Sequence, residues 1–293
     1  MSPELTLGLM FGLLLLLLAS GLPIVWALGG IAMIFIYFLL GPDSLLLVVK
    51  RGWDTMTSFV LLCLPLFVFM GVMLERSGLA EELLDTMGLL FGRLKGGLAI
   101  SVVVVGMLLG ASTGIVGATV VTMGLLAVPT MLRRGYQKEL ATGTVSASGT
   151  LGQIIPPSIV LVLIADIVGV SVGDVFMGAV LPGLLLVGLF IIYLIIAAYV
   201  RPGVAPAISK EELAAISPKQ LAMRVGKALI PPLFLIVAVL GSIFAGIASP
   251  TEAAAVGAVG ATVLTIANKK LNMATLREVM HTTTRLTCMV FII

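Results

Sequence analysis

Two short stretches carry residue types that can bind ions as well as pack helices. The first, LLGASTGIVGATVV at 108–121, sets Gly110, Ser112, Thr113, Gly114, Gly117 and Thr119 inside an apolar run. The second, SASGTLGQIIPPSIVLVLIAD at 146–166, places Pro156 and Pro157 inside another, just after Gly149, Thr150 and Gly152. A proline has no N–H for the carbonyl four residues earlier. Pro156 therefore frees the carbonyl of Gly152, and Pro157 that of Gln153. Freed carbonyls beside Ser and Thr hydroxyls make an oxygen donor set suited to a hard monovalent cation such as sodium. Two plainer readings stay open. Small residues let membrane helices approach closely, and a proline pair kinks a helix with no ligand bound.

Enzyme chemistry finds little to work with. The chain has one histidine, His281, and no paired acids within its apolar runs. Its two cysteines, Cys63 and Cys288, lie in apolar segments without metal or redox spacing. We expect no enzymatic activity, and no cofactor beyond a coupling ion. Asp166 and Glu252 lie near the ends of apolar runs, where solvation or helix capping is their expected role. Trp26 and Trp53 suit interface anchors.

The elements that hold both stretches must be membrane helices. The 293 residues are 60% hydrophobic and 11% charged, with a mean hydropathy of +1.23. A soluble domain of this size cannot hide so much apolar surface. Runs long enough to cross a hydrocarbon core fall near 5–19, 22–40, 56–74, 140–168, 176–199, 229–247 and 252–267. With the N-terminus outside, fifteen of the seventeen Lys and Arg residues lie in inner loops, and only Lys50 and Arg51 lie in an outer one. The positive-inside rule supports that orientation.

The segment 97–132 has basic flanks on both sides, GRLKGG before it and RRGYQKE after it. Both flanks belong on the inner side, so one crossing is excluded. A re-entrant helical hairpin with its tip at 111–114 satisfies both; two short spans with a tight outer turn also fit. At a hairpin tip the second arm presents its N-terminus, the positive end of the helix dipole. A hairpin followed by a discontinuous helix is the arrangement secondary transporters use at their ion and substrate sites.

Around these lie scaffold helices within 5–74 and an amphipathic arm helix at 75–96, read as lying along the inner surface. The broken helix follows at 140–168, then a helix at 176–199 and an inner connector at 201–228, with a short helix at 209–216 capped by Ser209. Residues 268–285 read as an inner loop. SGLPIVWALGG at 20–30 and ASPTEAAAVGA at 248–258 open similar spans that cross in opposite senses. Residues 1–200 thus form a first repeat, and 229–293 the start of an inverted second one. A full second repeat would run to about residue 428, so we expect the chain to be a C-terminally incomplete piece. The expected fold class is an all-α polytopic membrane protein built as an inverted-repeat secondary transporter.

Five stretches carry a family resemblance: LPLFVFMGVMLERSGLAEELLD, GASTGIVGATVVTMG, VPTMLRRGYQKELATGTVSASGTLGQIIPPSI, VGDVFMGAVLPGLLL and ASPTEAAAVGA. Together they resemble the large membrane (permease) subunit of TRAP, tripartite ATP-independent periplasmic, transporters. The resemblance implies a multi-pass protein of the bacterial inner membrane, with a periplasmic N-terminus in our orientation. It implies sodium-driven symport of an organic acid, such as a C4-dicarboxylate or sialic acid, by an elevator motion. The implied partners are a periplasmic substrate-binding protein and a small membrane subunit, with no nucleic acid. The implied sodium site joins the tip residues Ser112, Thr113 and Gly114 to Gly149, Thr150, Gly152 and Pro156. Substrate is expected near Ser112 and Thr113, with its other contacts further along a complete chain. Many relatives carry a Gly-Ser-Ser-like tip; Thr113 keeps the hydroxyl oxygen. The alternatives are a sodium-coupled dicarboxylate carrier that needs no binding protein, and a membrane scaffold that transports nothing.

Overall fold

The computed structural model describes residues 2–114, 116–201, 203–208 and 217–292, without the side chains of Ser112, Thr113, Ala118 and Pro218. The helix expected at 209–216 and its cap Ser209 lie outside the described residues. Every regular element among the described residues is helical. The chain divides into two units, residues 1–59 with 285–293, and residues 60–284.

In the first unit, α1 (Pro3–Ala19) and α2 (Ile24–Leu40) pack on each other. Ser2 starts α1 by accepting the Leu5 N–H at 3.4 Å, with Pro3 in the first turn where its missing N–H costs nothing. α1 buries no residue, and α2 buries only Ala27 and Ile31, so both turn apolar faces outward. A 3-10 turn at Pro42–Leu45 leads into α3 (Leu46–Thr57). The sequence reading has Lys50 and Arg51 on an outer loop; the structure puts them on this helix. Leu46, Val49, Trp53 and Met56 recur at helical spacing and are all exposed. The period spans only three turns and is interrupted by charge, which is why it reads as a loop.

The second unit contains α4 (Cys63–Arg76), α5 (Leu79–Phe91), α6 (Gly97–Thr113), α7 (Val116–Arg133), α8 (Lys138–Thr150) and α9 (Ile159–Val168). It continues with α10 (Val172–Val200), α11 (Pro218–Phe244), α12 (Pro250–Ala267) and the part of α13 (Met273–Ile292) before residue 285. α10, α11 and α12 each have the length and apolarity to cross a membrane. α1, α2, α6, α7 and α9 include shorter apolar helices.

Several boundaries differ from expectation. The crossing expected from 56 begins with a 3-10 turn at Val60–Leu62. The connector ends at Ser217, because Pro218 opens α11 eleven residues ahead of the expected start at 229. Lys219, Arg224 and Lys227 therefore ride on a helix. The expected inner loop 268–285 is helical from Met273, and His281 lies exposed on it.

α4 and α12 form the most extensive helix pair. Ala253, Ala254, Gly257, Ala258 and Ala261 are all buried, so the small residues read from the sequence let the two helices approach closely. A Cβ on Gly257 would sit 2.6 Å from Met70 Sδ. Lower down, the Thr265 hydroxyl is shared between the Ala261 carbonyl of its own helix at 2.8 Å and the Met73 carbonyl of α4 at 3.2 Å, and Asn268 Nδ2 donates to the Ser77 carbonyl at 3.4 Å. α12 opens with a capping box. The Glu252 carboxylate accepts the Ser249 N–H at 2.7 Å, and Ser249 Oγ accepts the Glu252 N–H at 3.3 Å. Glu252 is thus a helix cap.

The arm helix α5 is shorter than 75–96 and is not laid on a free surface. Leu79, Ala80, Leu83, Leu84 and Met87 are buried, with the helix packed on α6 and α11. An amphipathic stripe fits protein as well as lipid, and only the tertiary structure decides between them. On its polar side, burial pushes the Asp85 carboxyl above its usual value of 3.8, with Glu81 adding to the rise and Arg134 opposing it. A raised folded-state pKa contributes stability below the unfolded value, and that contribution is lost as pH rises through the folded value. Asp85→Asn is therefore expected to melt higher than the parent at neutral pH, with the gap closing toward about pH 4. Thermal unfolding in detergent across that range checks it; a pH-independent gap would count against the assignment.

Candidate functional site

The hairpin expected at 97–132 is built by α6 and α7, which pack on each other and on α8. α6 closes on Gly114, whose N–H donates to the Gly110 carbonyl at 2.8 Å. Gly114 has φ +61, a left-handed conformation that a Cβ disfavours. α7 starts two residues later. The break thus falls at the GAST-G stretch, with Ile115 and the side chains of Ser112 and Thr113 outside the described residues.

The feet of the hairpin are tied down. The Tyr136 hydroxyl accepts the Leu98 N–H at 3.3 Å, satisfying a free amide at the start of α6. The segment 203–208 then straps both feet. Gly96 N–H donates to Ala205 O at 3.0 Å, Ile208 N–H to Gly92 O at 2.9 Å, and Gln137 N–H to Val204 O at 3.0 Å. Part of the expected inner connector is therefore a brace tied to the hairpin by backbone hydrogen bonds. Thr122 of α7 donates its hydroxyl to the Glu75 carboxylate at the end of α4, a tie that neither residue's position in the sequence signals.

The second expected element is broken where the prolines require. α8 ends at Thr150, a 3-10 turn covers Leu151–Gln153, and α9 begins at Ile159. Ser158 repairs part of the break. Its Oγ donates to the Gln153 carbonyl at 2.7 Å and accepts the Leu161 N–H at 3.5 Å. The carbonyl that Pro157 leaves without an amide is thus taken up by the serine that immediately precedes α9. Pro156, buried, has no N–H to offer Gly152. Thr150 is exposed, and its hydroxyl donates to the Ala147 carbonyl at 2.8 Å, which leaves the oxygen's lone pairs available.

The hairpin tip and the break dock on each other through glycine. A Cβ on Gly110 would lie 2.7 Å from Gly152 Cα, and one on Gly152 would overlap the backbone of Gly110. A Cβ on Gly106 would lie 2.7 Å from that of Ser148. One on Gly149 would run into Val120, and one on Gly114 would meet the Ile159 N at 3.3 Å. Of the expected site residues, Gly114, Gly149 and Gly152 thus belong to one junction, flanked by Thr150 and Pro156. Gly106, Ser148, Val120 and Ile159 complete it and were not singled out. The signal was present: Gly106-xxx-Gly110 and Ser148-xxx-Gly152 are facing small-residue pairs four apart.

This junction gathers helix ends. The last turn of α6 and the 3-10 turn that continues α8 meet at Gly110 and Gly152, which sets two C-terminal helix ends side by side, an arrangement favourable to a cation. The start of α9 abuts Gly114, and α7 begins beside it, so amide ends favourable to an anion lie next to the carbonyl ends.

Comparison with known proteins agrees with this architecture. Residues 11–293 match the family model described as "Tripartite ATP-independent periplasmic transporter, DctM component". The C4-dicarboxylate TRAP transporter large permease protein DctM of Pseudomonas aeruginosa is 35% identical over 222 residues, covering 75% of this chain and 50% of that protein. The protein of the same name in Vibrio cholerae is 34% identical over 258 residues, covering 86% and 54%. The ectoine TRAP transporter large permease protein TeaC of Halomonas elongata is 30% identical over 234 residues, covering 80% and 53%. The chain spans about half the length of these curated relatives. With its apolar helices, its hairpin and its broken helix, the chain is an integral membrane protein and belongs to the DctM component family of tripartite ATP-independent periplasmic transporters.

Proposed function

We propose that this chain belongs to the large permease subunit of a sodium-coupled secondary transporter for an organic acid. In this reading a periplasmic binding protein hands over the substrate, and a small membrane subunit completes the scaffold in the bacterial inner membrane. The hairpin and broken helix move together as an elevator, carrying sodium between Ser112, Thr113, Gly114 and the 149–156 break. The observation that carries the proposal is the glycine-to-glycine docking of the tip on the break, which packs the two elements of the proposed ion site directly against each other. Carbonyl ends at Gly110 and Gly152 favour the cation, while the amide ends of α7 and α9 favour a carboxylate. The names of the relatives, C4-dicarboxylate and ectoine among them, support a carboxylate-bearing substrate without choosing one.

The test is sodium-linked stability of the purified chain in detergent. Sodium at about ten times its Kd should stabilise the fold by about 1.4 kcal/mol over potassium at equal ionic strength. Thr113→Ala or Thr150→Val should shrink that difference while leaving the melt in potassium nearly unchanged. Equal melting in the two salts at all concentrations sinks the sodium assignment. A sodium effect that both variants retain would move the ion elsewhere.

A further inference from the structure

A cleft of about 740 Å³ opens between α6, α8 and α10, away from the hairpin tip. Its two ends differ in chemistry. The depth is apolar, lined by Val103, Leu140, Phe190 and Leu194 among others. The mouth carries Gln137, Glu139 and Arg201, at the start of α8 and just past the end of α10. The Gln137 N–H···O=C Val204 bond at 3.0 Å holds these two chain segments together, so one cation and one anion share a single rim. About 7 Å further along α8, Thr144 lines the cleft. It is 6% exposed, and its Oγ1 has no hydrogen-bond partner among the described residues. Rotating that hydroxyl toward a ligand acceptor gives up no existing bond, and a partner there would relieve a buried unsatisfied group.

We propose that this cleft binds an amine-bearing zwitterionic glycerophospholipid. The Arg201 guanidinium receives the phosphate and the Glu139 carboxylate receives the ammonium, each through charge-assisted hydrogen bonds. The Thr144 hydroxyl donates to an ester carbonyl below the headgroup, and the acyl chain lies along Val103, Phe190 and Leu194. A small, fully charged organic acid does not fit this lining, since most of the wall would offer it no polar partner. A purely anionic lipid satisfies Arg201 but sets its headgroup against Glu139. The proposal does not depend on transport and is read without measuring it.

The test uses the purified chain in detergent, supplied separately with phosphatidylethanolamine, phosphatidylglycerol or phosphatidylcholine, with bound lipid counted by native mass spectrometry. The parent should retain phosphatidylethanolamine about tenfold better than the other two, since phosphatidylglycerol has no ammonium and phosphatidylcholine no N–H to donate. Glu139→Gln should abolish the preference over phosphatidylglycerol while lipid is still held. Arg201→Ala should lower retention of both by about tenfold. A Cβ on Gly143 meets nothing within 4 Å, so Gly143→Phe can enter the cleft without a backbone clash and should expel the lipid. Unchanged melting of each variant shows that the fold is intact. Equal retention of phosphatidylethanolamine and phosphatidylglycerol by the parent, or full retention by Gly143→Phe, overturns the proposal.

Discussion

Gly152→Val is expected to destabilise the 60–284 unit by about 3 kcal/mol, the upper range for an overpacked site. The new Cβ falls on the Cα, carbonyl carbon and oxygen of Gly110, which are backbone atoms of α6. Where a flexible side chain blocks a Cβ, it can rotate aside; a helix backbone can only move as a body. Moving α6 would also disturb the Gly114 N–H···O=C Gly110 bond at 2.8 Å that closes the tip, and the Gly106 contact with Ser148 one turn away. Gly110→Val should cost a similar amount, because its Cβ meets Gly152 Cα at 2.7 Å and Gly152 N at 2.8 Å. Gly117 is the matched control. It lies in α7, close to the same tip, and a Cβ there meets nothing within 4 Å. Gly117→Ala should gain about 0.5–1 kcal/mol from the lost backbone entropy of glycine. Unfolding in detergent, by heat or denaturant, separates the three variants. If Gly152→Val melts with the parent, the tip and the break are not in contact, and the docking on which the proposed ion site rests goes with it.

What was legible in the sequence follows the range of the physics involved. The two breaks were legible because their causes are local: a proline's missing N–H and a glycine's access to positive φ act within one turn. The cap on α12 was legible for the same reason, since Ser249 and Glu252 sit three residues apart. The docking partner of each break was only half legible. Small residues four apart announce a close approach, yet they do not say that Gly106-xxx-Gly110 meets Ser148-xxx-Gly152 and not some other pair. The arm helix shows the same limit: its apolar stripe was plain, while its burial against α11 depends on contacts more than a hundred residues apart in sequence. α3 and the part of α13 up to residue 285 were read as loops because Lys50, Arg51, Arg277 and Arg285 outweighed a helical period only a few turns long. The 203–208 brace left no trace in side-chain chemistry, because its three ties are backbone hydrogen bonds.

Ser158→Ala should cost about 2 kcal/mol, and the reason lies in two bonds lost together. Ser158 is fully buried, and one hydroxyl both donates to the Gln153 carbonyl at 2.7 Å and caps the Leu161 N–H at 3.5 Å. Losing an N-cap costs about 1 kcal/mol when alanine replaces serine. Leaving the Gln153 carbonyl without its donor adds about 1 kcal/mol or more, since Pro157 cannot supply an amide. Glycine separates the two losses: at an N-cap it costs only a few tenths of a kcal/mol, so Ser158→Gly should show mainly the carbonyl's share. Ser158→Thr keeps the hydroxyl and should recover most of the parent's stability. The order Ser, Thr, Gly, Ala in unfolding free energy is the expected result. The same variants also probe the ion site, because Ser158→Ala returns to the break the very carbonyl that the serine had taken up. If sodium uses the oxygens of this break, its stabilising effect should be altered in Ser158→Ala and preserved in Ser158→Thr. A serine whose removal costs nothing would mean that the Gln153 carbonyl already has water, and that the break is open to solvent at this point.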